Sequence, residues 1–326
     1  MQGHTSNLQL LKKQLDRTFK KEKDRQKAHA TSSKILEDLS TNNTLLGEIL
    51  RSNLNKRNFF SQEHYPVLAF PICASEHYEL IANVWIPLAS KSTEYSTKSI
   101  HHHGPMLLTT VTAFGPGYFH YLFDRPVRDE SESNVFSMKV LAANQHERST
   151  SLFVDQYLPH CPMYPEKLSI TYALWSNSIQ KQLLSRVKRL PFLRQHSTLL
   201  RQIGKKIGLT KALDLKLETY LDYYPANDHF CGVKEREEVE FKKGPIPDRA
   251  SSIINLLQET KNEDLLSLCE KDLLANQSLG EQIKERCLNL VSKAKAGTEI
   301  ESRISDGVHF GFEKANFTHD QIKASL

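Results

Sequence analysis

Apolar residues recur along this chain at two different periods, and the changes of period divide it into three parts. Leu8, Leu11, Leu15 and Phe19 stand three and four residues apart between Lys12, Lys13, Arg17, Lys20 and Lys21, the spacing of one face of an amphipathic helix. Ile35, Leu36 and Leu39 form a second helical pattern, and Leu45, Leu46, Ile49, Leu50 and Leu54 a third, with the polar run Ser40 to Thr44 between them. Residues 1–60 are predicted to be an N-terminal helical segment.

From about residue 65 the period falls to two. Leu68, Phe70 and Ile72 alternate with other residues, and the run Leu80 to Ile86 reads as a strand that Pro87 ends. Further strands are expected at Met106–Phe114, Tyr118–Phe123, Val135–Ala143, Leu152–Tyr157 and Leu168–Trp175, with turn-rich segments such as Gly115-Pro116-Gly117 between them. Short strands at this spacing, without helical patterns in the gaps, predict an antiparallel barrel or sandwich over residues 61–177.

After Ser176 the helical period returns. Leu183, Leu184 and Val187, then Leu199, Leu200, Ile203 and Ile207, lie among basic residues. Residues 218–247 carry Tyr220, Tyr223, Tyr224 and Phe230, then a charged run that ends at Gly244-Pro245-Ile246-Pro247, and are read as a linker. Beyond it three helices are expected around Ile253 to Leu257, Leu265 to Leu273 and Ile283 to Val291, and Thr318 with Gln321 forms a capping box that starts a short terminal helix. Residues 178–326 are thus predicted to be a large C-terminal helical region, and the whole an α+β chain with a central antiparallel β unit.

Composition narrows the class. The 326 residues suffice for two or three structural units, and 39% hydrophobic residues, 25% charged residues and a formal charge of +5 describe a mildly basic soluble protein. That charge demands no nucleic-acid partner. Five widely separated cysteines without C-x-x-C spacing imply neither a disulfide framework nor a zinc knuckle, and fit reduced thiols in a cytoplasm. Neither a secretory signal nor the roughly 20 apolar residues of a membrane span is evident. Cys161 is expected to be a small buried hydrophobe.

The chemistry concentrates in His101-His102-His103, at the entry to the β unit. Imidazole is the commonest protein ligand for transition metals. Successive strand residues point to opposite faces, so His101 and His103 share a face and His102 points away. A third ligand must come from another strand. His120, His146 and His160 are available, and His160 is favoured because it directly follows a strand. Three imidazoles suit Fe(II), with Zn, Ni, Mn or Cu as alternatives; no Asp or Glu stands two residues after His101 or His103 to make a two-histidine, one-carboxylate set.

These residues resemble the cupin superfamily. His101-x-His103 is followed by Leu108 where the first cupin motif carries Glu and by Gly115 where it carries Gly, and His160, 57 residues after His103, stands for the second motif's histidine. The loss of the Glu is similar to the three-histidine, cysteine-dioxygenase-like branch. The resemblance covers residues 65 to 177 and implies a double-stranded β-helix barrel holding non-haem iron at His101, His103 and His160. The chain departs from the pattern in two places. Asp155 and Tyr157 replace the second motif's Pro-x-Gly, and Thr171, Ala173 and Trp175 stand where thiol dioxygenases carry Ser-x-His-x-Tyr.

The resulting expectation is a mononuclear Fe(II) dioxygenase acting on a small molecule with O2, with Tyr118, Tyr157 and Tyr172 as catalytic candidates around the ion and Arg125, Arg128 and Arg148 as candidate carboxylate clamps. A metal-dependent hydrolase or isomerase is the alternative on the same scaffold. A third reading is a non-enzymatic protein whose basic helices, Lys12 to Lys27 and Lys181 to Lys211, contact nucleic acid or a protein partner; the helical flanks also offer a homodimer interface.

Overall fold

The structure is a computed structural model that describes residues 6–61, 68–97, 99–132, 134–176, 221–226, 229–234, 246–302 and 317–324. The basic helical pattern expected over Lys181 to Lys211 lies outside the described residues.

Three helices open the chain: α1 (Asn7–Lys21), α2 (Arg25–Ser40) and α3 (Asn43–Leu54). Each begins at a residue whose side chain accepts from N–H groups of the first turn, namely Ser6, Asp24 and Asn42. The periodic apolar residues Leu11, Leu15, Leu36, Leu45 and Ile49 are completely buried, so tertiary packing of one face, more than propensity, holds these helices.

The strands are β1 (Leu68–Ala74), β2 (Tyr78–Trp85), β3 (Ile100–His101), β4 (Leu107–Phe114), β5 (Tyr118–Phe123), β6 (Val127–Arg128), β7 (Val135–Ser137), β8 (Val140–His146), β9 (Ser151–Val154), β10 (His160–Pro162), β11 (Ser169–Ser176), β12 (Leu221–Ala226) and β13 (His229–Lys234). One sheet has the order β1-β2-β11-β4-β9 and the other β6-β7-β13-β12-β3-β10-β5-β8. Every ladder between these strands is antiparallel. The strand expected over Val135–Ala143 is two strands, because β7 pairs with β13 whereas β8 pairs with β5.

The linker expected at residues 218–247 is corrected by the hairpin β12–β13, so the region 178–326 is not wholly helical. β12 pairs with β3, and β13 with β7. Tyr223 and Phe230 are buried in one cluster with Ile100 and Phe136. That long-range burial, which local charge and Pro225 conceal, makes the segment extended.

After the hairpin come α4 (Ile246–Glu259), α5 (Leu266–Ala275), α6 (Glu281–Lys295) and α7 (His319–Ala324). The Thr318 capping box is formed: the Gln321 N–H donates to Thr318 Oγ1 at 3.2 Å and the Thr318 N–H to Gln321 Oε1 at 2.9 Å. No described helix is long and apolar enough to cross a membrane.

Among the described residues, apolar packing sorts into three clusters. The largest joins the helices to one face of the five-stranded sheet, through Val111, Ile170, Tyr172 and Leu174. A second covers the outer face of the eight-stranded sheet, through Ile100, Tyr121, Phe123 and Tyr223 together with Phe317 and Ile322 of the C-terminal segment. The third is small and lies between the sheets: Leu108, Val154 and Ala173, with Leu122, Leu152, Leu158 and Trp175 packed on it. The space between the sheets is therefore where side chains of both inner faces meet.

A buried histidine pins helix to sheet. His29 of α2 has Nδ1 2.8 Å from Thr109 Oγ1 on β4 and Nε2 2.8 Å from Ser176 Oγ on β11. Burial, with a smaller contribution from the Arg25 charge, lowers its pKa to about 4, so it is neutral near pH 7.

Candidate metal centre

β3 is only two residues long, but its alternation sorts the histidine triplet. Ile100 packs into the outer cluster, and His101 takes the inner face. His102 turns outward again, with its ring 5.8 Å from that of Tyr157 and 6.0 Å from that of Tyr223. It accepts the Gly104 N–H on Nδ1 at 3.0 Å, and burial lowers its pKa to about 4.

His160 reaches the same inner face from β10. It stands directly opposite His101 on one side and Leu122 on the other. The rings of His101, His103 and His160 lie 4.3 to 4.8 Å apart, centroid to centroid. Their ligand atoms all fall within 4.8 Å of one another, and His103 Nε2 is 3.1 Å from His160 Nε2.

The donor set fits a divalent ion. With nitrogen-to-metal distances of about 2.1 Å, a 3.1 Å separation subtends ~95° at the ion, between the octahedral and tetrahedral angles. Two nitrogens on one ion are at most ~4.2 Å apart at that bond length, so small ring rotations bring the whole set to bonding distance. His101 Nδ1 lies 2.8 Å from the Ser99 carbonyl oxygen. A carbonyl only accepts, so this bond places the proton on Nδ1, the arrangement that orients metal-binding histidines generally.

The surroundings are asymmetric. His101 and His160 are buried whereas His103 is half-buried, so solvent reaches the triad from the His103 side. There Trp175 lies 4.4 Å from the His103 ring and belongs to the interior apolar cluster with Leu122, Leu152 and Leu158. Arg25 ties this rim together, donating to the carbonyls of Pro105 at 3.1 Å and Ser176 at 3.3 Å. Deeper in, the wall is polar and uncharged. His120 stacks on His160 at 5.4 Å, Trp85 Nε1 donates to Thr171 Oγ1 at 2.9 Å, and His146 contacts the Thr110 and Thr112 hydroxyls. Burial holds His120 at about 3 and His146 at about 4.

Of the three candidate third ligands, His160 is the one the structure brings to His101 and His103. His120 and His146 face the interior too, outside the group of converging ligand atoms. The tyrosine candidates are scattered. Tyr118 is interior but packs on Trp85 at 4.5 Å and on His146 at 5.3 Å. Tyr157, at φ +61°, donates its N–H to the Gly104 carbonyl and sits with the outward His102. Tyr172 belongs to the helix-packed core, on the face of β11 opposite Trp175, so the expected place for it beside the ion is corrected. Arg125, Arg128 and Arg148 are all exposed, and Arg128 lies over the Phe136 ring at 5.4 Å, so none lines the interior. Ser99 and Arg25 carry no signal in the sequence, whereas Trp175 stands on the strand expected over Leu168–Trp175, on the same face as Ala173.

Gly115 and Gly117 shape the β4–β5 turn beside this wall. Both have positive φ, and a Cβ on Gly117 would fall 1.8 Å from the His146 carbonyl oxygen.

The sequence matches no model of a known protein family, and no curated protein matches it. Solved structures that align with part of the chain include a putative mannose-6-phosphate isomerase from Ralstonia eutropha JMP134, at 9% identity and a TM-score of 0.22, covering 34% of this chain and 83% of that one. The Cnp3 cupin domain of Schizosaccharomyces pombe aligns at 5% identity and a TM-score of 0.26, covering 40% and 74%. The DMSP lyase DddQ of Ruegeria pomeroyi DSS-3 aligns at 14% identity and a TM-score of 0.20, covering 32% and 41%. The functional reading rests on this chain's own residues.

Proposed function

We propose that the chain is a metal-dependent enzyme of cupin type, its two sheets forming a double-stranded β-helix barrel, in which His101, His103 and His160 would hold a mononuclear Fe(II) for the oxidation of a small molecule by O2. The observation that carries this reading is the convergence of three imidazoles, His101 on β3, His103 just beyond it and His160 on β10, with His101 held by the Ser99 carbonyl. When bound, the ion would supply adjacent open positions that hold substrate and O2 together and polarise them.

The protein's own contribution is orientation and exclusion. Because β3 pairs with β10, His101 and His160 are cross-strand neighbours, which supports a ligand set assembled by the sheet itself. His103 and Trp175 form the entrance, where an apolar part of a substrate meets Trp175, Leu122 and Leu158 and displaces water. Thr110, Thr171, Tyr118 and the neutral His120 and His146 make a deeper wall that hydrogen-bonds without adding charge, which favours a substrate bound chiefly through the ion.

The test is metal analysis after anaerobic loading with Fe(II), then O2 uptake with a panel of small thiols and other chelating molecules. Near-stoichiometric iron in wild type, its loss in His101→Ala and His160→Ala, and substrate-dependent O2 uptake are expected. Equal, negligible iron in all three proteins would sink the metal reading. Tight metal binding without O2 uptake would replace the oxidase by a hydrolase or isomerase.

A further inference from the structure

A second concave site lies at the far end of the five-stranded sheet. Leu168 precedes β11 and Trp175 stands near the other end of that strand, about 23 Å along it at ~3.3 Å per residue. Trp175 neighbours His103, so the Leu168 end is the one opposite the triad. There a cavity of about 260 Å³ is lined by Pro87 and Leu168 at the ends of β2 and β11, by Asn255 and Glu259 of α4, and by Glu299 and Glu301 of the segment after α6. Its walls are tied together. Asn255 and Glu259 are four residues apart on one face of α4. Gln258 Nε2 donates to the Thr298 carbonyl at 2.9 Å and its Oε1 accepts the Ile300 N–H at 2.9 Å, while Ser302 Oγ lies 2.6 Å from Ser252 Oγ. Ile300 is buried in the largest core cluster, and the flanking Glu299 and Glu301 are exposed.

Two features of this cavity serve no purpose in folding. Asn255 is only 7% exposed, yet its side-chain amide, which lines the cavity, has no hydrogen-bond partner among the described residues. An unpaired buried amide is unfavourable, and a ligand that pairs with it removes that cost. The three carboxylates also face a single ammonium, that of Lys167, which leaves two formal negative charges, and no ion pair joins these groups among the described residues.

We propose that this cavity binds a short aliphatic diamine as its dication, with the ammonium groups against the glutamates, Asn255 Oδ1 accepting one N–H, and the methylene chain on Pro87 and Leu168. Two positive charges match the two unbalanced negative ones. The volume corresponds to about nine waters at ~30 Å³ each, which suits a small molecule of this kind. A bare metal ion fits less well, because among the described residues the ligand atoms that converge closely enough for one are those of His101, His103 and His160. An apolar floor below charged walls is the surface that a long amine covers with its carbon chain while its charged ends stay polar. The site is separate from the triad and does not depend on the metal reading.

The experiment is calorimetric titration of the full chain with putrescine at physiological ionic strength, with butylamine and butanediol as its singly charged and neutral analogues. One equivalent of putrescine is expected to bind, with butylamine weaker by at least about tenfold, the scale of one lost hydrogen bond to a charged group, and butanediol not binding. A variant carrying both Glu299→Gln and Glu301→Gln, at exposed positions outside the core, is expected to lose at least about tenfold in putrescine affinity. Asn255→Leu is expected to weaken binding as well, and His101→Ala to bind as wild type does. Absence of binding, several weak sites in place of one, butanediol binding as tightly as putrescine, or wild-type affinity in the glutamate variant would each overturn the proposal. Loss of binding in His101→Ala would overturn it too, by moving the diamine to the triad. Should Asn255→Leu not fold, the glutamate variant decides.

Discussion

His160 and His101 are direct cross-strand neighbours, and their ring centroids approach to 4.3 Å. The ladder, not the local sequence around either residue, makes them a pair. On the metal reading, replacing either removes one of the three imidazoles that converge there. His160→Ala and His101→Ala are expected to lose the thermal stabilisation that metal gives wild type, about 2.7 kcal/mol at a hundredfold excess over the dissociation constant. Melting curves with and without Fe(II) or Co(II) check this; an equal metal-induced shift in the variants would refute the pairing.

Tyr172 was a catalytic candidate and lies in the helix-packed core, fully buried, its hydroxyl without a hydrogen-bond partner among the described residues. A buried, unsatisfied hydroxyl costs about 1–3 kcal/mol. Tyr172→Phe is expected to leave metal affinity unchanged and to keep or raise stability in urea titration. A loss of metal binding in this variant would restore the tyrosine to the site.

Acid should loosen the helical layer from the sheet. The His29 pKa falls from 6.5 to about 4 on folding, mainly through burial, with Arg25 adding to it. Between those values the unfolded chain binds the extra proton and the folded chain does not, so stability rises with pH across this window. It is fully present above about pH 6.5 and lost as pH falls toward 4, by roughly 3 kcal/mol for this group. Urea midpoints from pH 7 to 4.5 measure the slope, and His29→Asn is expected to flatten it.

Gly117 sits at φ +78°, with the space a Cβ needs already filled by the His146 carbonyl. Gly117→Ala is expected to destabilise the protein by about 3 kcal/mol or more, since backbone must move on both sides of the turn. A urea midpoint equal to that of wild type would show that the turn relaxes at no cost.

A core truncation far from the triad separates stability from the site. Leu174, on the same face of β11 as Tyr172, is completely buried among the helices. Leu174→Ala is expected to cost about 2–5 kcal/mol and to leave metal affinity as it was, which chelator competition on the folded fraction checks.

Much of the architecture is legible because it is local. The leucine spacing of α1 to α3 and the alternation of β1, β2, β5 and β11 follow from which positions must be buried on a helix or a strand. The same alternation separates the outward His102 from the inward His101 and His103. The hairpin β12–β13 is not legible, since its burial depends on Phe136 and Ile100, residues far away in the chain. The alternation that puts Trp175 inside also puts Tyr172 on the helix-packed face.

By itself the sequence determined the N-terminal helices, most of the strands and the opposed faces of the histidine triplet, because side-chain periodicity is a property of neighbouring residues. Only the tertiary structure decided that His160, and neither His120 nor His146, comes together with His101 and His103, and that the Ser99 carbonyl lies against His101. Those relations are set by strand register, and register is chosen by the packing of the whole sheet.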